Sequence, residues 1–282
     1  MSNCLAVSLQ YLLPKHAITT LAGKFASAKA GSLTTAVIRW FVGRYKVNME
    51  EAAQPDISDY QSFNDFFTRA LRPDARTISK SEFICPVDGA ISQFGEIRSD
   101  QIFQAKGHSY STNALLAGEK AFAAKFNDGS FATLYLSPKD YHRIHMPCDG
   151  RLISMKYVPG TLFSVNPATA QDVPGLFARN ERVVCEFESK VHGTFVMVLV
   201  GATIVGSMAT VWHGVVNPPR SKHVREWTYS DQNIELRQGE EMGRFLLGST
   251  VVLLFPKNTL QFNQEWTPTK SIRLGEALGM TI

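Results

Sequence analysis

Several signals that would settle a function quickly are missing from this sequence. Only four cysteines occur in 282 residues (Cys4, Cys85, Cys148, Cys185), with no C-x-x-C pair. That argues against a zinc site or a disulfide framework and suits a reducing compartment. No apolar run reaches the ~20 residues of a membrane-spanning helix. The longest, "FVMVLVGATIVG" at 195–206, is rich in β-branched residues and interrupted by glycines, so it reads as a core strand. Acid is missing from residues 1–49, where Lys15, Lys24, Lys29, Arg39, Arg44 and Lys46 stand without one Asp or Glu. All 25 acidic residues lie from Glu50 onward, against 23 of the 29 basic ones, so the N-terminal segment carries +6, the rest −2, and the chain's net +4 comes wholly from its N-terminus.

That segment contains three short helical patterns. "CLAVSLQYLL" stops at Pro14, which cannot continue a helix interior. "HAITTLAGKFASAKA" puts Ile18, Leu21, Ala22 and Phe25 on one face. "SLTTAVIRWFVGRYKV" starts with Ser32 as expected N-cap and spaces Leu33, Val37, Trp40, Phe41 and Tyr45 three or four apart. Basic amphipathic helices with aromatics suit an anionic membrane surface. Packing against the protein core and a transit peptide are the other readings. Six cations over 49 residues make no dense track for nucleic acid. Further on, "SFNDFFTRALRP" reads as a helix with Ser62 as cap, Asp65 in capping-box position and Pro73 beyond its end.

From about residue 80 the texture changes to short apolar or alternating runs punctuated by Gly, Pro, Asn and Asp. These are strand signals at hairpin-like spacing, with a modest helical patch near "STNALLAGEKAFAAKF". The expected class is α+β: N-terminal amphipathic helices followed by a mostly antiparallel β-rich body.

Three polar clusters interrupt the body. "PVDGA" carries Asp88, which alone reads as a turn aspartate. "SPKDYHRIHMPCDG" carries His142 and His145, a pair three apart with no third metal ligand at a recognisable spacing. "FLLGSTVVLLF" places Gly248-Ser249-Thr250 inside an apolar run, which alone reads as a tight turn between two buried strands. Together, however, Asp, His and Ser are the parts of an activated hydroxyl nucleophile. The G-x-S-x-G elbow of serine hydrolases is absent, and an apolar strand follows the serine. Such a serine has a near target in the Gly248 carbonyl, because glycine tolerates the strained backbone that attack requires. Attack turns the amide into an ester. Loss of the serine α-proton expels Gly248 as a carboxylate and leaves dehydroalanine, whose hydrolysis yields ammonia and an N-terminal pyruvoyl group. Lys106 and His108 in "QAKGHSY" could meet a phosphate, though they also suit a plain polar loop.

"MGRFLLGSTVVLLF", "YHRIHMPCDG", "PVDGAISQFG" and "FARNERVV" resemble the bacterial phosphatidylserine decarboxylase family, pyruvoyl-dependent enzymes made as self-cleaving proenzymes. "LQYLLPK" and "FNDFFTRALRP" are similar to its N-terminal part, so the resemblance covers nearly the whole chain. It implies a cut between Gly248 and Ser249, giving a large chain 1–248 and a small chain 249–282, with Ser249 as nucleophile and source of the pyruvoyl cofactor. It further implies that Asp88 and His145 serve the maturation and that His142 serves the decarboxylation. The implied substrate is membrane phosphatidylserine, whose serine amine forms a Schiff base with the ketone, loses CO₂ and leaves phosphatidylethanolamine. Residues 1–75 become a helical membrane-docking region and 76–282 the catalytic domain. The implied place is the cytoplasmic face of the bacterial inner membrane, as a peripheral protein with both chains held together and a possible homodimer. The competing expectations are a membrane-associated serine hydrolase using Asp88, His145 and Ser249, a lipid-binding module, and a pyruvoyl decarboxylase of soluble amino acids.

Overall fold

The runs downstream of residue 80 form strands, as their β-branched and aromatic content favours. The computed structural model describes residue 7 and residues 10–204, 207–247 and 250–282. Its largest feature is a nine-stranded antiparallel sheet. Along its main path the order is Arg225–Thr228, Gly150–Val158, Arg182–Ser189, Gly193–Val200, Thr250–Phe255, Ser130–Tyr135, Gly89–Glu96 and Ser271–Ile272, with Glu235–Leu236 also paired to Gly150–Val158. The run "TVVLLF" is apolar throughout because both faces of this sheet are covered. Val251, Leu253 and Phe255 enter one core cluster, whereas Val252 and Leu254 enter the cluster on the other side. The class is therefore α+β, with helices ahead of an antiparallel body.

A four-stranded sheet, Gly214–Asn217, Met208–Thr210, Glu241–Phe245 and Arg143–His145, carries the histidine motif. This arrangement overturns the tight-turn reading of "FLLGSTVVLLF". Glu241–Phe245 pairs with Met208–Thr210 and Arg143–His145, whereas Thr250–Phe255 pairs with Gly193–Val200 and Ser130–Tyr135. The strands flanking Gly248 and Ser249 thus belong to different sheets, and the chain crosses between them instead of doubling back.

At the N-terminus, helices Lys15–Ser27 and Ser32–Tyr45 present less of their apolar stripes to the protein than a core-packed pair would. Ala26, Ile38 and Phe41 are buried against Phe66, Phe67 and Leu247. Leu21, Phe25, Leu33 and Trp40 are each more than half exposed. The expected Ser32 cap is corrected: Gly31 occupies the N-cap position without a side-chain bond, and Ser32 is the first helical residue. The helix expected over "SFNDFFTRALRP" is confined to Phe63–Phe67. Ser62 Oγ does accept the Asp65 N–H at 3.1 Å, but the Asp65 carboxylate accepts from Gln61. Beyond it the chain leaves the helix, because Arg69 turns into the body and Leu71 pairs with Ala52. The patch near residue 112 resolves into two short helices, Thr112–Leu115 and Lys120–Ala124.

Candidate active site

The strand Arg143–His145 separates the two histidines. Residues three apart along extended chain face opposite ways, so His142 and His145 enter different environments. His145 Nδ1 lies 2.8 Å from the Gly239 carbonyl and Nε2 lies 3.0 Å from the Tyr141 hydroxyl. A carbonyl only accepts, so Nδ1 carries the proton and Nε2 presents its lone pair to the Tyr141 O–H. Burial lowers the His145 pKa, partly offset by the Gly239 bond and by the charges of Glu241 and Asp88. His145 is a neutral imidazole whose basic nitrogen is fixed in direction. Tyr141 is buried, and burial raises its phenol above its ordinary range.

Asp88 lies where "PVDG" enters the strand Gly89–Glu96, and the Pro86 carbonyl accepts the His145 backbone N–H at 2.9 Å. The two motifs are therefore neighbours through backbone. The turn glycine is demanded by space, since a Cβ on Gly89 would stand 2.3 Å from the Tyr135 carbonyl oxygen. The Asp88 carboxylate takes two bonds from Arg76, one from Nε at 2.9 Å and a shorter one from Nη2, and a third from the Leu274 N–H at 2.9 Å. Arg76 also reaches Glu51 at 2.7 Å, and Glu51 meets Arg273 at 3.2 Å. Burial opposes the charge on Arg76, but Asp88 and Glu51 outweigh it and raise the guanidinium pKa. Among the described residues Asp88 and His145 share no hydrogen bond; they are linked through charge.

His142 is fully buried and lies against Phe67 with ring centroids 4.0 Å apart. Neither of its ring nitrogens makes a well-formed hydrogen bond among the described residues, although the Asp140 backbone lies near enough to favour its charged form slightly. Burial, followed by the nearby positive charge of Arg69, pushes its pKa down to about 3. It lines an apolar cavity of about 340 Å³ together with Phe67, Ile204 and Leu247. Tyr135 and Val165 also border a larger, more polar cavity of about 770 Å³, walled by Arg69, Arg76, Asp88, Tyr141 and Arg273.

Gly248 and Ser249 lie outside the described residues, but their neighbours bracket the site. Leu247 is in the wall of the His142 cavity, and Thr250 pairs with Tyr135, which borders both cavities. Thr250 Oγ1 is buried without a partner among the described residues. Asp88, His145 and His142 thus converge on one region, with His142 separate from the other two. Sequence reasoning missed Tyr141 and Arg76, the partners of His145 and Asp88. Tyr141 was available, being the tyrosine of "YHRIH". Arg76 stands in irregular chain and gives no pattern. Lys106 is exposed and ion-paired with Asp172 at 3.2 Å. No group of three or more His, Cys, Asp or Glu among the described residues could hold a metal ion.

The model of the phosphatidylserine decarboxylase family matches residues 63–280, and a second model, described as PSD, matches residues 5–46. The chain is 69% identical over 279 residues to the phosphatidylserine decarboxylase proenzyme of Dechloromonas aromatica, covering 99% of both chains. It is 69% identical over 278 residues to that of Albidiferax ferrireducens, covering 99% of this chain and 98% of the relative. To that of Herminiimonas arsenicoxydans it is 66% identical over 282 residues, covering 100% of this chain and 96% of the relative. The chain belongs to the phosphatidylserine decarboxylase family, a family of decarboxylases made as proenzymes.

Proposed function

We propose that the chain cuts itself between Gly248 and Ser249, converts Ser249 into a pyruvoyl group, and uses it to decarboxylate phosphatidylserine to phosphatidylethanolamine. The observation that carries this reading is His142, a fully buried imidazole with no well-formed hydrogen bond to either nitrogen among the described residues, lining a cavity whose wall includes Leu247, the residue before Gly248. A buried polar group without a partner is costly, and one kept beside the cut site suits a group reserved for substrate. The orphan Thr250 hydroxyl on the other side of the pair fits a polar group formed at residue 249.

In maturation, His145 is the base. Its Nε2 lone pair takes the serine hydroxyl proton while the Gly239 carbonyl holds the tautomer. The Asp88 charge favours the imidazolium that forms, and Arg76 with the Leu274 N–H fixes that carboxylate in place. The pyruvoyl ketone, once present, supplies the electron sink that decarboxylation of an amino acid requires. His142 is the group placed to protonate the carbon that loses the carboxylate, a role that requires bound substrate to restore the proton affinity that burial and Arg69 hold down, and Phe67 and Leu247 give it an apolar surround. The exposed Leu21, Phe25, Leu33 and Trp40, with Lys24, Lys29, Arg39 and Arg44 among them, support a peripheral membrane-docking role for residues 1–75, leaving catalysis to 76–282. No described helix is long and apolar enough to cross a membrane.

Intact mass under denaturing conditions tests the reading. The wild-type chain should give two species, one ending at Gly248 and one beginning with pyruvoyl in place of Ser249. His142→Ala should still give both species yet lose decarboxylation by about a hundredfold or more. His145→Ala should stay in one piece. A wild-type protein that keeps its full-length mass after long incubation would sink the proposal.

A further inference from the structure

Arg69 follows the Phe63–Phe67 helix and is 5% exposed, yet its guanidinium is left half used. Nη2 donates to the backbone carbonyls of Lys139 at 3.2 Å and Asp140 at 3.4 Å. Nε and Nη1 are buried with no partner among the described residues. Other buried arginines of the chain are better provided for. Arg182 donates to four backbone carbonyls, those of Leu115, Ala178, Asn180 and Ala114. Arg76 holds two carboxylates. Arg69 has neither among the described residues: it donates to two carbonyls only, lies over the Phe66 ring at 5.4 Å, and makes no ion pair. Burial therefore lowers its pKa, partly offset by Tyr60 and by the more distant charges of Asp88, Asp140 and Glu51. A buried cation with unpaired N–H groups and no carboxylate in contact is unfavourable unless something else compensates it. Arg69 also borders the larger cavity, which shares the Tyr135 and Val165 walls with the cavity of His142.

We propose that Arg69 is the anion-binding residue of this site and that its ligand is the phosphodiester of the lipid headgroup. The assignment rests on the reading of the substrate as phosphatidylserine. That headgroup carries two anions, and the chemistry separates them. The carboxylate loses its charge as CO₂ departs, so a cation held against it would stabilise the ground state more than the transition state and slow the reaction. The phosphodiester keeps its charge throughout, so a cation there binds substrate and transition state alike and costs nothing in rate. Arginine is also the side chain whose fixed donor geometry matches phosphate oxygens. Because Arg69 holds the Lys139 and Asp140 carbonyls, immediately before Tyr141 and His142, a phosphate on it would lie close to the decarboxylating histidine. The same anion would offset the Arg69 charge that, after burial, holds the His142 proton affinity down.

The test compares self-cleaved wild-type enzyme with Arg69→Gln and Arg69→Lys, using a short-chain phosphatidylserine as substrate and glycerophosphoethanolamine as inhibitor. The inhibitor keeps the phosphate and lacks the carboxylate. In Arg69→Gln both the KM and the inhibition constant should rise, by about tenfold to a hundredfold, with kcat much less affected and both chains still formed. Arg69→Lys should fall between. Wild-type enzyme should be inhibited competitively by inorganic phosphate, an arm that needs no variant to fold. A raised KM with an unchanged inhibition constant would assign Arg69 to the carboxylate and overturn the proposal. Unchanged constants throughout, or no competition by inorganic phosphate, would make Arg69 purely structural and overturn it as well. Wild-type enzyme without activity on phosphatidylserine would instead remove the functional reading beneath it.

Discussion

At the scale of single residues, the environment of His142 makes a claim about stability as well as catalysis. The folded chain holds this imidazole neutral down to about pH 3, against an ordinary value of 6.5. Between those values the unfolded chain binds a proton there that the folded chain does not. The unfolded state therefore gains as pH falls, and the stability contributed by a neutral His142 is complete above pH 6.5 and lost on the way down. The slope for one such group is about 1.4 kcal/mol per pH unit. In a Ser249→Ala background, which keeps the chain in one piece, His142→Phe should retain the ring contact with Phe67 and flatten this dependence. Thermal midpoints at pH 7 and pH 5 would read it, and parallel pH profiles for the two proteins would refute it. Asp88, His142 and His145 were legible in the sequence as candidates because polar groups break apolar runs there. Their partners were not, since Arg76, Gly239 and Leu274 are brought in by tertiary pairing that no local pattern encodes.

At the scale of elements, the N-terminal helices show why periodicity alone left their role open. Both stripes were visible in the sequence, but a stripe does not say what covers it. In the Ser32–Tyr45 helix Ile38 and Phe41 face the protein while Leu33 and Trp40 face outward, so one amphipathic pattern is divided between two surroundings. The reading of "FLLGST" as a hairpin failed for a related reason: two adjacent apolar runs look alike whether they pair with each other or with distant strands. Replacing Leu21, Phe25, Leu33 and Trp40 together by serine removes exposed apolar surface without opening the core. Flotation with anionic vesicles should then weaken by at least about tenfold, while self-cleavage proceeds as in the wild type. Undiminished flotation would mean that another surface meets the bilayer.

At the scale of the whole molecule, the proposed cut does not release the small chain. Thr250–Phe255 is buried at every position and paired on both sides, by Gly193–Val200 and Ser130–Tyr135. Ala277–Met280 pairs with Phe83–Ile84, and Ser271–Ile272 with Gly89–Glu96. The two products should co-elute in size-exclusion chromatography under native conditions and separate only in denaturant; native separation would contradict this.

The position of Thr250–Phe255 also orders events during synthesis. A ribosome delivers the strands Ser130–Tyr135 and Gly193–Val200 long before the one that joins them, so the large sheet stays in two unconnected halves until nearly the whole chain has emerged. The last bridging strand begins one residue after Ser249. With Ser249 as the proposed nucleophile, seating this strand is the step that would bring it to its proposed partners, and the proposed cut would serve as a receipt that translation is nearly finished and the sheet is closed. A truncated or misassembled chain would keep its serine, and with it no capacity to act on lipid.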